Sequence, residues 1–358
     1  MMASSSESRS ASRSVSVDLE APLSVAASPR TLRATWAPRA LFFLLGTAVL
    51  ALVGLRATRA GADLGVIDLF GSVWTRSVQD SLPFEYDADV AQKLAQMARA
   101  THCTGGGLEN WTRAPCKDSG LEIVNGTYRG VYHHETGMPN ATFVMVAKLR
   151  GPDPFSDGCL VAIRGSVNAP NALVDAEFWK VPVPADWDCK ECEAHRGFLN
   201  TWLDVEQQVL NAFKDIGCTQ NSGLILTGHS MGAAMASLAA WSFKHKHGFQ
   251  LRMLYNFESP RFANKVFADA HDADIGRTIP SFRITYNHDI VPQIPPTWAG
   301  FKHLHYEVFY SPKGDFQVCD HVEDGTCSSQ FAPRPWKWSG SDHCIASYMS
   351  NGNVCDCK

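Results

Sequence analysis

The chain reads as an α/β protein with a mostly parallel central sheet and helices on both faces. Three observations predict this. Short apolar runs of strand length alternate with longer stretches of helical period along the body of the chain. Runs such as Leu224-Ile225-Leu226-Thr227 are short enough for buried strands. The chain has 358 residues, 45% of them hydrophobic, enough for one large core or two modest ones. No internal repeat and no second domain stand out.

Taken in order, Asp87 or Asp89 is placed to cap a helix whose apolar face is Val90, Leu94, Met97 and Ala98. Extended stretches follow, clearest at 142–147 and 159–163, separated by the turn-rich Gly151-Pro152-Asp153-Pro154. The spacing of Phe198, Trp202, Val205, Val209 and Phe213 predicts an amphipathic helix. Next come a strand at 224–227 and an alanine-rich helix at 233–241. Further strands are expected at 251–257, 282–286 and 306–310.

Four segments are expected. Residues 1–38 are rich in serine, arginine and alanine and poor in large apolar side chains, the composition of a disordered tail. Residues 39–56 hold a charge-free run from Ala40 to Leu55, bracketed by Arg39 and Arg56. As a helix this run spans about 24 Å, short of the roughly 30 Å hydrocarbon core, though flanking arginines can reach the interface. It is read as a signal-anchor in preference to a cleaved signal peptide, whose charged leader would be unusually long; a transit peptide is the third reading. Residues 57–80 form a stem and 81–358 the folded domain. Three glycosylation sequons, at Asn110, Asn125 and Asn140, fit a secretory route. The result is a lumenal or extracellular body anchored to a membrane through residues 40–55, or secreted. A net charge of −4 gives no basic excess, so nucleic acid is not an expected partner.

Gly228-His229-Ser230-Met231-Gly232 lies between the strand at 224–227 and the helix at 233–241. A serine hydroxyl becomes a useful nucleophile only when it is held out of the packing beside a base. A sharp strand-to-helix turn does this, and flanking glycines permit the bend. The helix start also offers backbone N–H groups where negative charge builds during attack on a carbonyl. Working groups of parallel sheets gather at strand carboxyl ends, and Asp289, three residues beyond Tyr286, is a candidate acid. An ordinary turn aspartate would look the same. Among the histidines downstream, His303, His305, His321 and His343 all remain open as the base; His343 comes last and fits the order nucleophile, acid, base of α/β-hydrolase folds.

From about residue 90 onward the chain resembles the class 3, fungal-type lipases, an α/β-hydrolase family. The resemblance rests on ordered blocks: Ile163-Arg164-Gly165-Ser166, 171–175, Cys189 to Cys192, His195-Arg196-Gly197-Phe198, Gly228 to Gly232, Ser259-Pro260-Arg261, Asp289-Ile290-Val291-Pro292, Tyr306-Glu307-Val308 and Asp342-His343. It implies Ser230 as nucleophile, Asp289 as acid, His343 as base and Ser166 as an oxyanion residue. The N–H of Met231 is the expected second oxyanion donor. His305 is expected to be structural, and His229 to pack under the elbow. The resemblance also implies a movable lid between Ser166 and His195, with Leu173, Val174, Phe178 and Trp179 facing the site or a lipid surface. It departs from the family at Ala172, often tryptophan there, and at Ile163, often phenylalanine.

The eleven cysteines lack a compact zinc signature. The resemblance implies disulfides instead, Cys319 with Cys327, Cys189 with Cys192, and Cys103 with Cys355 or Cys357, with at least one thiol left over. No metal or organic cofactor is expected. The expected activity is carboxylic ester hydrolysis, foremost of acylglycerols. The alternatives are a feruloyl, aryl or short-chain esterase of the same fold, and a lipase-like binding protein without activity.

Overall fold

The computed structural model describes residues 83–103, 106–133, 142–166 and 178–349. The expected tail, hydrophobic segment and stem lie outside the described residues, as do Asn140, Leu173, Val174, Cys355 and Cys357. No described helix is long and apolar enough to cross a membrane.

Among the described residues there are eleven strands: β1 Glu122–Ile123, β2 Arg129–His133, β3 Thr142–Arg150, β4 Cys159–Ile163, β5 Lys180–Pro182, β6 Glu193–His195, β7 Leu224–His229, β8 Leu251–Phe257, β9 Ser281–Tyr286, β10 Glu307–Tyr310 and β11 Phe316–Val318. Nine build the main sheet, in the order β1-β3-β4-β7-β8-β9-β10-β11, with β2 also paired to β3; β5 and β6 form a separate hairpin-like pair. The centre, from β4 through β7, β8 and β9 to β10, is parallel. The edges at β1, β2, β3 and β11 are antiparallel. The expected fold class therefore holds, with reversal confined to the flanks.

Alternation along the strands assigns the two faces. Val144, Val146, Val161 and Leu226 point into a core shared with helices α3 (Arg196–Ile216) and α4 (Met231–His245). Met145, Ala147, Leu160 and Ile225 point the other way, onto α1 (Ala88–Ala100). Both faces are covered, which is why β4 and β7 are buried at every position and β4 reads as an unbroken apolar run. Asp87 does cap α1, its Oδ1 accepting from the N–H groups of Asp89 and Val90 at 2.9 and 3.0 Å. α3 stops where Gly217 takes a left-handed φ of 74°. Three shorter α-helices are also found among the described residues: α2 Ala114–Asp118, α5 Lys265–His271 and α6 Ala346–Met349. α6 packs on the α1 side, where Gln96 Nε2 donates to the Met349 carbonyl at 3.2 Å.

The expected disulfides Cys319–Cys327 and Cys189–Cys192 are present. Cys103 and Cys344 are each disulfide-bonded. A further bridge, Cys159–Cys218, joins the start of β4 to the residue pair following α3 and was not anticipated. Cys116 is a buried free thiol, and burial pushes it up to about 12.

Candidate active site

The parallel pairing sets the site. Ile163 lies beside Gly228, His229 beside Phe257 and Phe257 beside Ile284, so β4, β7, β8 and β9 end at one level. Within three residues beyond those ends come Ser166, Ser230, Glu258 and Asp289. Three of these strands are followed immediately by a residue with left-handed φ, Ser230 at 59°, Glu258 at 53° and Asn287 at 38°.

Ser230 sits where β7 turns into α4, with ψ of −130°. The glycines around it are dictated by contact. A Cβ on Gly228 would land on the carbonyl of Gly232, and one on Gly232 would land on the carbonyl of Ile163. A Cβ on Gly165 would come within 2.6 Å of the His229 carbonyl oxygen and 2.9 Å of the Ser230 Cβ. The motif's small residues let three backbone segments approach where a side chain would separate them.

His343 comes from the segment downstream of β11. Its Nδ1 lies 2.8 Å from Asp289 Oδ2, with both side chains buried. Asp289 is fixed in turn, its Oδ1 accepting from the Val291 N–H at 2.9 Å. Two further bonds staple the His343 segment to the Asp289 loop: Asn287 Nδ2 donates to Asp342 Oδ2 at 2.8 Å, and the Ser339 N–H donates to the His288 carbonyl at 2.8 Å. Burial raises the Asp289 carboxyl above its usual range, against the opposing pull of the facing imidazole. Ser230 Oγ and His343 Nε2 are both buried and hydrogen-bonded to nothing among the described residues, each other included.

The other histidines are otherwise engaged. His303 Nε2 is 2.8 Å from the Pro292 carbonyl oxygen. The backbone N–H of His305 donates to Asp272. The ring of His321 is largely exposed, 3.8 Å from Asp324. His288 packs edge-on against Phe331. His229 does more than pack under the elbow: its ring stacks on His343 with centroids 4.5 Å apart, and its Nε2 lies 2.8 Å from Glu258 Oε2.

Glu258 was missed at the sequence level. It is wholly buried, and the same Oε2 is 3.3 Å from His343 Nδ1. Burial first, then the neighbouring Asp289, push it well above the usual carboxylate range. Burial, followed by His343 and His102, holds His229 well below the usual imidazole range. The signal available in sequence was position: Glu258 follows Phe257 at a strand end as Ser230 follows His229. His229, Glu258 and His343 offer ligand atoms within 4.8 Å of one another, but the His229 and His343 nitrogens involved already face carboxylates, as in a proton network.

Ser166 follows β4, and its Oγ lies 3.6 Å from the Met231 sulfur. Met231 is the first residue of α4, where an N–H lacks an intrahelical acceptor. Of the expected lid residues, Phe178 is half-buried and Trp179 is 59% exposed. Trp179 lies next to Lys180, whose Nζ donates to the Ala299 carbonyl at 2.5 Å; Trp298, in the same turn as Ala299, is 84% exposed.

Comparison with known proteins agrees with this geometry. The family described as Lipase (class 3) matches residues 160–298. Secreted mono- and diacylglycerol lipase A of Penicillium cyclopium is 31% identical over 264 residues, 73% of this chain and 81% of that protein. Secreted mono- and diacylglycerol lipase 1 of Fusarium solani is 29% identical over 180 residues, and the chain spans only about half of that protein, 51%. Among solved structures, lipase II from Rhizopus niveus superposes with a TM-score of 0.60 at 23% identity, covering 75% of this chain and 96% of that one, a likeness of fold. Identity above 30% across nearly three quarters of the chain makes it a member of the class 3 lipase family of α/β-hydrolases, carboxylic ester hydrolases with a serine nucleophile.

Proposed function

We propose that the protein is a triacylglycerol lipase-like enzyme in which Ser230, His343 and Asp289 act as nucleophile, base and acid. The observation that carries this is the 2.8 Å Asp289–His343 pair, together with a buried His343 Nε2 and a buried Ser230 Oγ that have no hydrogen-bond partner among the described residues. His343 takes the Ser230 proton as Oγ attacks the ester carbonyl. The same proton then goes to the leaving alcohol, an acyl-enzyme remains, and water repeats the sequence. Apo hydrogen bonds of this kind commonly tighten only when substrate is bound. The N–H groups of Ser166 and Met231 are assigned to the developing oxyanion, each such donor worth about 3 kcal/mol.

A lipid substrate is supported by the likeness to secreted mono- and diacylglycerol lipases and by the exposure of both Trp179 and Trp298, the first at the end of the segment assigned as lid. Leu173, Val174 and Phe178 belong to the same assignment. The exposed sequon residues Asn110 and Asn125, the disulfides and the secreted relatives support passage through the secretory pathway. Residues 40–55 would then serve as signal-anchor or signal peptide.

The test is hydrolysis of triacylglycerol, monoacylglycerol, phospholipid and short soluble esters, together with fluorophosphonate labelling of Ser230. Acylglycerol turnover with labelling at Ser230 is expected. Turnover of short or aryl esters alone would make it an esterase of the same fold, and absence of labelling in folded protein would leave a binding protein.

A further inference from the structure

Glu258 occupies a position that physical chemistry disfavours twice over. Its backbone has a φ of 53°, a conformation glycine adopts without strain and other residues adopt at a penalty. Its carboxyl is wholly buried, where a charge is held only by partners. Those partners are the catalytic histidine and the histidine stacked on it. A single oxygen, Oε2, reaches His229 Nε2 at 2.8 Å and His343 Nδ1 at 3.3 Å. His343 Nδ1 therefore faces two carboxylates, Asp289 as the near partner and Glu258 as the far one.

Resting on the triad reading above, we infer that Glu258 is a second acid for His343, a positioning residue that with His229 backs up Asp289 in holding the Nδ1–H tautomer and stabilising the imidazolium. Asp289 has first claim on the proton at Nδ1 because it is 0.5 Å nearer, the difference between 3.3 and 2.8 Å. While Asp289 is charged, its repulsion adds to burial in raising the Glu258 carboxyl above its usual range. Removing the Asp289 charge relieves that repulsion. Glu258 then ionises more readily, and its contact to Nδ1 becomes the charged one. The other groups facing Glu258 are His229, the Tyr348 hydroxyl from α6 and Asp342, with His102 behind His229.

The experiment is kcat/KM against pH on a soluble ester for the full chain, as wild type, Asp289→Asn, Glu258→Gln and the double variant. In a triad with one acid, the Asp-to-Asn change costs about 10⁴-fold. Here Asp289→Asn is expected to lose only about 10²-fold, with an ionisation in its pH profile that wild type lacks. The double variant should fall to about 10⁴-fold and lose that ionisation, while Glu258→Gln alone loses about tenfold or less. A 10⁴-fold loss in Asp289→Asn with no further loss in the double overturns the inference. So does a Glu258→Gln factor that is equal with and without Asp289, the mark of a merely structural role. Should Glu258→Gln not fold, the size of the Asp289→Asn loss and its pH profile decide alone. The triad reading is tested separately, by Ser230→Ala and by labelling of the wild type.

Discussion

Two clusters of buried acids lie within this domain and differ in what faces them. At the strand ends, Glu258 and Asp289 face imidazoles. Around β9 and β10, Glu323 pairs with Arg261 through bonds of 2.8 and 2.6 Å, and Glu307 pairs with Arg283 at 2.7 Å while accepting from the Thr285 hydroxyl at 2.6 Å. Burial alone would raise Glu323, but its Arg261 bonds, then His303 and the guanidinium charges, hold it well below the usual carboxylate range. Glu258 and Asp289 move the opposite way. A guanidinium is always charged and fixes its acid as a permanent ion. An imidazole can gain or lose a proton, so the acid beside it can take part in proton transfer. The first cluster should govern turnover and the second stability.

The largest effect expected from this contrast is on activity. Ser230→Ala should lower kcat about a million-fold, equivalent to about 8 kcal/mol of barrier, with the denaturation midpoint near that of wild type. Turnover on purified, titrated enzyme checks it. In the second cluster, Glu323→Gln leaves the Arg261 guanidinium buried without its ion partner and should cost about 3–5 kcal/mol in denaturant unfolding, with kcat of the folded enzyme changed less than tenfold. Because the native carboxyl is depressed, its contribution is complete above an unfolded pKa of about 4.3 and is lost as pH falls through the native value. The gap between variant and wild type should accordingly close in acid. A kcat loss of several orders in this variant would erase the distinction between the clusters.

Replacing Cys159 and Cys218 by alanine opens a bridge spanning 59 residues away from both clusters, and should cost about 2–4 kcal/mol with turnover retained. The smallest effect is a slope. Glu258 is raised in the native state, so its contribution is complete below about pH 4.3 and is lost as pH rises through the native value; Glu258→Gln should flatten stability against pH by up to about 1.4 kcal/mol per pH unit in that window. Urea titrations at pH 4, 6 and 8 measure it.

The centre of the fold was legible because its strands are rich in apolar residues: 159–163 and 251–257 coincide with the observed β4 and β8. The short edges β1, β2 and β11 were not, since two to five residues with mixed burial carry too little period to read. Ser230 was legible because nucleophile chemistry demands its glycines and its strand-to-helix context. Asp289 and His343 could be proposed from chain order, but only the fold brings them to 2.8 Å of each other. Glu258 was illegible because an acid after a strand looks like an ordinary turn residue until its burial is known. Cys159 was read for its place in a strand and Cys218 not at all. Their meeting depends on how α3 returns to the sheet, which no local pattern encodes.

The order of the site along the chain bears on how the protein matures. Ser230, Glu258 and Asp289 belong to strand ends that form as the sheet closes, whereas His343 lies beyond β11 and reaches them through the Asp342 and Ser339 staples. A nascent chain can thus complete its sheet while still lacking its base. The proposed site would be completed only when the segment carrying His343 docks onto the loop of Asp289.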